Sequence, residues 1–120
     1  MARSYRQSNC PVARALDLVG ERWTILILRD LFREGPRRFQ DLQQSLTGIA
    51  PNTLSARLKD MEARGLLVRR AYSDHPPRLE YRLTPRGRSL GPVLKALHDW
   101  GRRHGTRQQH RDRGERICYR

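Results

Sequence analysis

The chain has 120 residues, a length for one domain, and sets 25 Lys and Arg against 12 Asp and Glu for a net charge of +13. Arg supplies 23 of the 25 cations, and so large a surplus points to a polyanionic partner, nucleic acid or an anionic membrane surface. No window reaches the roughly 18 apolar residues of a membrane span, and the polar, Arg-containing stretch Met1 to Cys10 does not read as a secretory leader, so the cytoplasm is the expected location.

Residues 1–9 are polar and without periodicity, an N-terminal arm. Pro11 opens a first helix with Val12, Leu16 and Val19 at helical spacing, and Gly20 closes it. From Trp23 to Phe32 apolar residues face almost every direction, which predicts a helix packed on all sides and ended by Gly35-Pro36. A short third helix runs from Phe39 to Leu46, and Gly48 breaks it. A fourth starts at Pro51. Leu54, Leu58 and Met61 form its narrow apolar stripe, and it ends at Arg64-Gly65 after about 21 Å. The period then changes. Leu66 to Tyr72 reads as one strand, and Leu79, Tyr81 and Leu83, alternating with Glu80 and Arg82, as a second, with residues 73–78 as the turn. Thr84-Pro85 starts a last amphipathic helix carrying Leu90, Val93, Leu94, Leu97 and Trp100, which Pro92 should kink or divide. The organisation is an arm over 1–9, one domain over 10–104 and a basic tail over 105–120. The tail is expected to stay disordered or to fold only on a partner, since seven Arg face Asp112 and Glu115 across residues 101–120.

Helices, a basic hairpin and a closing helix in this order make a mainly α fold with a small β-hairpin, the winged helix-turn-helix. On the fourth helix the side opposite the apolar stripe carries Asn52, Ala56, Lys59 and Ala63, flanked by Thr53, Ser55 and Asp60. Small and polar residues near a helix start can approach base edges in a major groove about 12 Å wide, with Asn suited to adenine and Thr, Ser or Ala to a thymine methyl. Pro51, Asn52, Thr53, Ser55, Ala56, Arg57 and Lys59 are therefore the candidate recognition residues, with Arg57 and Lys59 directed at phosphates. The competing reading is a plain solvated helix face. The hairpin supplies Arg69, Arg70, Arg78 and Arg82 with His75 at its tip, and Arg37 and Arg38 precede the third helix as candidate phosphate clamps; solubility alone is the alternative for any one of them.

Cys10-Pro11-Val12 ahead of Gly20-Glu21-Arg22-Trp23 resembles the opening of HxlR-type winged helix-turn-helix regulators. The similarity continues through Arg38-Phe39-Gln40-Asp41-Leu42, Gly48-Ile49-Ala50, Leu54 with Arg57-Leu58, and Glu62-Ala63-Arg64-Gly65-Leu66. It extends over Pro76-Pro77-Arg78-Leu79-Glu80-Tyr81, Leu83-Thr84-Pro85-Arg86-Gly87 and Leu97 with Trp100-Gly101, covering about residues 10–104. The resemblance implies a dimeric bacterial transcription factor whose first and last helices meet across the dimer. Ala50 departs from the small polar residue often found there, which predicts a weaker helix cap.

The last helix supports a homodimer independently, because its stripe exceeds what a terminal element of one small domain needs; the alternative is that it completes its own core. Val12, Leu16, Leu90, Val93, Leu94, Leu97 and Trp100 are the candidate dimer residues. Cys10, at a helix start with Arg14 one turn on, is the candidate redox sensor, as the equivalent cysteine is in some relatives that respond to oxidants or reactive electrophiles; the alternative is a small buried hydrophobe. A Cys10–Cys118 disulfide is a further alternative. His75, His98, His104 and His110 lack ligand spacing, so no metal and no cofactor are expected, and no nucleophile elbow or phosphate-cradling loop suggests an enzyme. The expected partners are double-stranded DNA, a second copy of the chain and a small-molecule or oxidant effector, with no membrane, the protein being held at the nucleoid through DNA. Two other classes compete: a non-specific architectural protein that coats DNA, and a protein-interaction module whose tail docks an acidic partner.

Overall fold

Prolines punctuate this chain. Three helices begin on one, because a fixed φ and a missing N–H cost nothing in the first turn: α1 (Pro11–Val19), α4 (Pro51–Ala63) and α5 (Pro85–Arg88). A computed structural model describes residues 10–105 and adds α2 (Arg22–Glu34), α3 (Phe39–Ser45), β1 (Leu67–Asp74), β2 (Pro77–Leu83) and α6 (Gly91–His104). Pro92 divides the last helix, as one of the two expected outcomes: α5 is a single turn, and α6 restarts with Pro92 in its own first turn. Glycine does the stopping. Gly35 and Gly65, both at positive φ, end α2 and α4.

The core gathers where these helices cross. Ile27, Leu28 and Leu31 of α2 meet Leu42, Leu46 and Ile49 from and after α3, and the whole Leu54/Leu58/Met61 stripe of α4. Leu66, Leu67 and Leu94 close it. Within α2 only the end residues Arg22 and Glu34 are exposed, which matches the all-round apolar pattern.

The strands form an antiparallel hairpin in which Leu67 pairs with Leu83 and Ala71 with Leu79, with a bulge between Ala71 and Ser73. The turn is tighter than the composition of residues 73–78 predicts. Ser73 pairs with Arg78 and Asp74 with Pro77, leaving His75 and Pro76 as the tip. Pro77 is tolerated there because it lies at the start of its strand, where a missing N–H disturbs the ladder least. A lone hairpin is marginal in water; here Arg37 stitches it to the helices, donating its N–H to Tyr81 O (3.1 Å) and accepting from Tyr81 N (2.7 Å).

The base of the hairpin is locked by Thr84. Its Oγ1 donates to Gly65 O (2.6 Å) and accepts from Gly87 N (3.0 Å), while its N–H donates to Leu66 O (3.1 Å). Gly87 is buried so closely that a Cβ there would lie 2.1 Å from Leu66 O, so glycine is required for packing.

Among the described residues one charged side chain, Asp30, lies wholly inside. Asp30 has no exposed surface; it accepts from Ser45 Oγ (2.6 Å) and Arg33 Nη2 (3.3 Å), and Arg37 Nε stands 3.7 Å from its Oδ2. Removing one partner of a buried ion pair strands the others without compensation. Asp30→Ala should therefore cost about 3–5 kcal/mol in urea unfolding, whereas Glu34→Ala, a more exposed partner of the same arginines, should cost less than about 1 kcal/mol. Equal losses would remove Asp30 from its central place.

Candidate nucleic-acid interface

Burial of Leu54, Leu58 and Met61 fixes the rotation of α4 about its own axis. Asn52, Ser55, Ala56 and Lys59 consequently stand on one exposed stripe at i, i+3, i+4 and i+7, with Pro51 exposed at the first turn. Thr53 and Arg57 flank that stripe, half-buried. Ala50 occupies the N-cap and makes no side-chain capping bond, as its departure from a small polar residue predicts.

The hairpin brings Arg70, His75 and Arg78 to the surface as exposed groups. Arg69 is also exposed but pairs with Glu62 of α4 at 3.4 Å, and Arg82 pairs with Glu80 at 3.2 Å. Tyr72, opposite no residue because of the bulge, and Leu79 are large apolar groups on the same projection. Tyr81 lies deeper, and burial pushes its phenol above the usual tyrosine range.

The two arginines before α3 separate. Arg37 turns inward: its guanidinium reaches Asp30 and Glu34, and Nη2 donates to Asp41 O at 3.2 Å. Placed so, it is a strut between α2, α3 and β2. Charge alone suggested a clamp; the signal for a strut was an aspartate, Asp30, between the apolar residues Ile27, Leu28 and Leu31 of α2. Arg38 stays 45% exposed. Asp41 receives both its Nε and Nη2, each at 3.2 Å, and its main-chain N–H at 3.1 Å, capping α3. These bonds hold the Asp41 carboxyl below its ordinary range and raise Arg38 further, with Tyr72 contributing to the latter.

The candidate dimer residues also divide. Leu94 is 6% exposed and belongs to the core of its own chain, and half-buried Leu90 packs against that core, because α6 lies on α2 along this side. Val12, Leu16, Val93, Leu97 and Trp100 remain exposed, the first and last at 67% and 64%. Cys10 is the N-cap of α1, half-buried and a free thiol, and makes no side-chain capping bond. Cys118, its pairing with Cys10, the arm over 1–9 and the tail beyond Gly105 lie outside the described residues. Among the described residues no group of three His, Cys, Asp or Glu is placed to hold a metal, and no helix is long and apolar enough to cross a membrane.

Because the native carboxyl of Asp41 is held low, its contribution to stability is complete above the unfolded value, about pH 4, and is lost as pH falls through the native one. Asp41→Asn should therefore unfold at lower temperature than wild type at pH 7, with the two melting points converging as pH falls through the lowered native value of Asp41. A gap that stays constant with pH would assign the effect to packing.

Comparison with known proteins agrees with this architecture. The HxlR-like helix-turn-helix family model matches residues 18–109. An uncharacterized HTH-type transcriptional regulator of Synechocystis is 45% identical over 92 residues, 77% of this chain and 67% of that protein. One of Mycobacterium tuberculosis is 50% identical over 98 residues, covering 82% of this chain but 61% of its own length, so the chain spans less than two thirds of that relative. Among solved structures, the redox regulator HypR in its oxidized form superposes with a TM-score of 0.74 at 31% identity, over 81% of this chain and 99% of that one. The reduced form of the transcriptional regulator YodB from Bacillus subtilis does so at 0.66 and 27%, over 80% and 94%. An exposed polar stripe on α4 beside a basic hairpin, on the helical frame these matches share, places the chain in the HxlR-like helix-turn-helix family, with the winged DNA-binding fold of transcriptional regulators.

Proposed function

We propose that this chain is a sequence-specific transcriptional regulator that binds double-stranded DNA as a homodimer. The observation that carries the reading is the stripe Asn52, Ser55, Ala56 and Lys59, turned outward by a buried seam on a domain whose hairpin exposes Arg70 and Arg78. In it α4 enters the major groove. Asn52 and Ser55 meet base edges, Ala56 meets a thymine methyl, and Pro51 and Thr53 line the entry. Lys59 and Arg57 face phosphates. The hairpin lies along the backbone or in the adjacent minor groove through Arg69, Arg70, His75 and Arg78, and Arg38 takes a flanking phosphate. Arg37 supports that contact from behind.

The exposed faces of α1 and α6 support the dimer. Val12, Leu16, Val93, Leu97 and Trp100 give each copy an apolar surface that a two-fold partner can cover, while Leu90 and Leu94 back it from the core. Two recognition helices about 34 Å apart then require a near-palindromic site. Binding occludes or recruits at a promoter in the cytoplasm, where the protein stays with the nucleoid. Cys10, at the N-cap of the helix that carries part of this face, is the place where an oxidant acts in this reading, supported by the likeness to HypR.

The test is selection by the reduced protein from random duplexes, at near-physiological salt and with excess competitor DNA. A two-fold motif with half-sites about one helical turn apart is the expected product; recovery without any motif would favour an architectural protein that coats DNA. On the selected site Asn52→Ala should lose about 1–3 kcal/mol, with little change on random DNA. Arg78→Ala should weaken both alike and lower the salt slope by about one. Alkylating Cys10 should release the selected duplex, and Cys10→Ala should abolish that response.

A further inference from the structure

The apolar face on α1 and α6 and the reading stripe on α4 belong to different elements, and one side chain joins α1 to α4 directly. Arg64 is the C-cap of α4. Its Nε lies 3.0 Å from Asp60 Oδ2 one turn back, and its Nη1 donates to the main-chain carbonyl of Asp17 in the last turn of α1. A helix leaves its final carbonyls without intrahelical donors, so this bond fills a place the backbone of α1 cannot fill itself. The guanidinium thereby sits at the C-terminal ends of two helices at once, where aligned peptide dipoles favour a cation.

The root of this side chain is equally fixed. Arg64 N donates to Asp60 O, Gly65 N to Glu62 O and Leu66 N to Met61 O, each at 3.0 Å, and Gly65 at φ 78° makes the reversal. By contrast α1 is lightly held: it buries Ala13 and Val19, and leaves Val12, Leu16 and Leu18 exposed. Two apolar anchors permit a short helix to slide or tilt, because packing is non-directional. A two-pronged guanidinium bond opposes that motion, and a lysine, as a point charge, cannot span the same two acceptors in a fixed fork.

We propose that Arg64 is a positioning residue that fixes α4 to α1, and so sets the separation of the two recognition helices and the half-site spacing the protein accepts. The inference rests on the dimeric reading above. Adjacent spacings differ by about 3.4 Å along the duplex axis and by a rotation of about 35°. A stiff link between dimer helix and reading helix rejects the neighbouring spacing; a loose one tolerates it.

The experiment uses the full chain and the selected site, with its spacer lengthened or shortened one base pair at a time. Wild type should disfavour a one-base-pair change by about tenfold. Arg64→Gln should compress that discrimination to about threefold, and Arg64→Lys should fall between, while binding to an isolated half-site, dimerisation by ultracentrifugation and the melting temperature stay near wild type. A spacing preference that survives unchanged in Arg64→Gln overturns the role of Arg64 alone. Loss of half-site binding or early melting in both variants makes the residue a structural cap and overturns it as well. A wild type that selects no two-fold motif overturns the dimeric reading first, and this inference with it.

Discussion

A carboxylate sealed from water is the constraint around which the domain is arranged. Apolar side chains can satisfy one another in many relative positions, but Asp30 needs cationic and hydroxyl partners held near it, hydrogen bonds to its Oδ1 and an ion pair at its Oδ2, and they come from separate segments. Ser45 brings α3, Arg33 extends from the next turn of α2, and Arg37 arrives from the link between the two helices. Arg37 then passes the constraint onward, because its main chain is paired with Tyr81 of β2. The hairpin therefore takes its position from a buried charge two elements away. This explains how a two-stranded ribbon that would be marginal alone can present arginines at a fixed place beside α4.

At the other side of the hairpin the restraint is steric and polar together. Thr84 caps α5 and holds the strand that follows α4, with Gly87 pressed against the same backbone. The hairpin is thus fastened at both flanks, by Arg37 along β2 and by Thr84 at its root. Its far end, where His75 and Arg78 lie, is exposed throughout.

Much of this was legible in the residues. Proline starts, glycine stops and the period-3.6 stripe of Leu54, Leu58 and Met61 gave the helices and the rotation of α4, since burial of three spaced side chains leaves one solution for the face opposite. The change to alternation at Leu79, Tyr81 and Leu83 gave the hairpin. What local pattern did not separate were residues of one type with different fates. Arg37 and Arg38 are adjacent and chemically identical, yet one points at a buried carboxylate and the other toward solvent, because of a packing partner seven residues before Arg37. Leu94 and Leu97 share a stripe, but α2 covers the first and not the second. Arg64 gave no signal, since its acceptor is a main-chain carbonyl 47 residues away. Long-range partners decide such cases, and a helical repeat records only local spacing.

The close fit at Gly87 also governs how the domain can diverge. A position where even a methyl group would meet backbone at 2.1 Å leaves no room for a side chain at the hairpin root unless the backbone shifts. The α4 stripe and the hairpin tip touch nothing inside and are free to vary. Exposed side chains there can accordingly be exchanged on a frame that stays still, so the surface of this scaffold can change without its core being rebuilt.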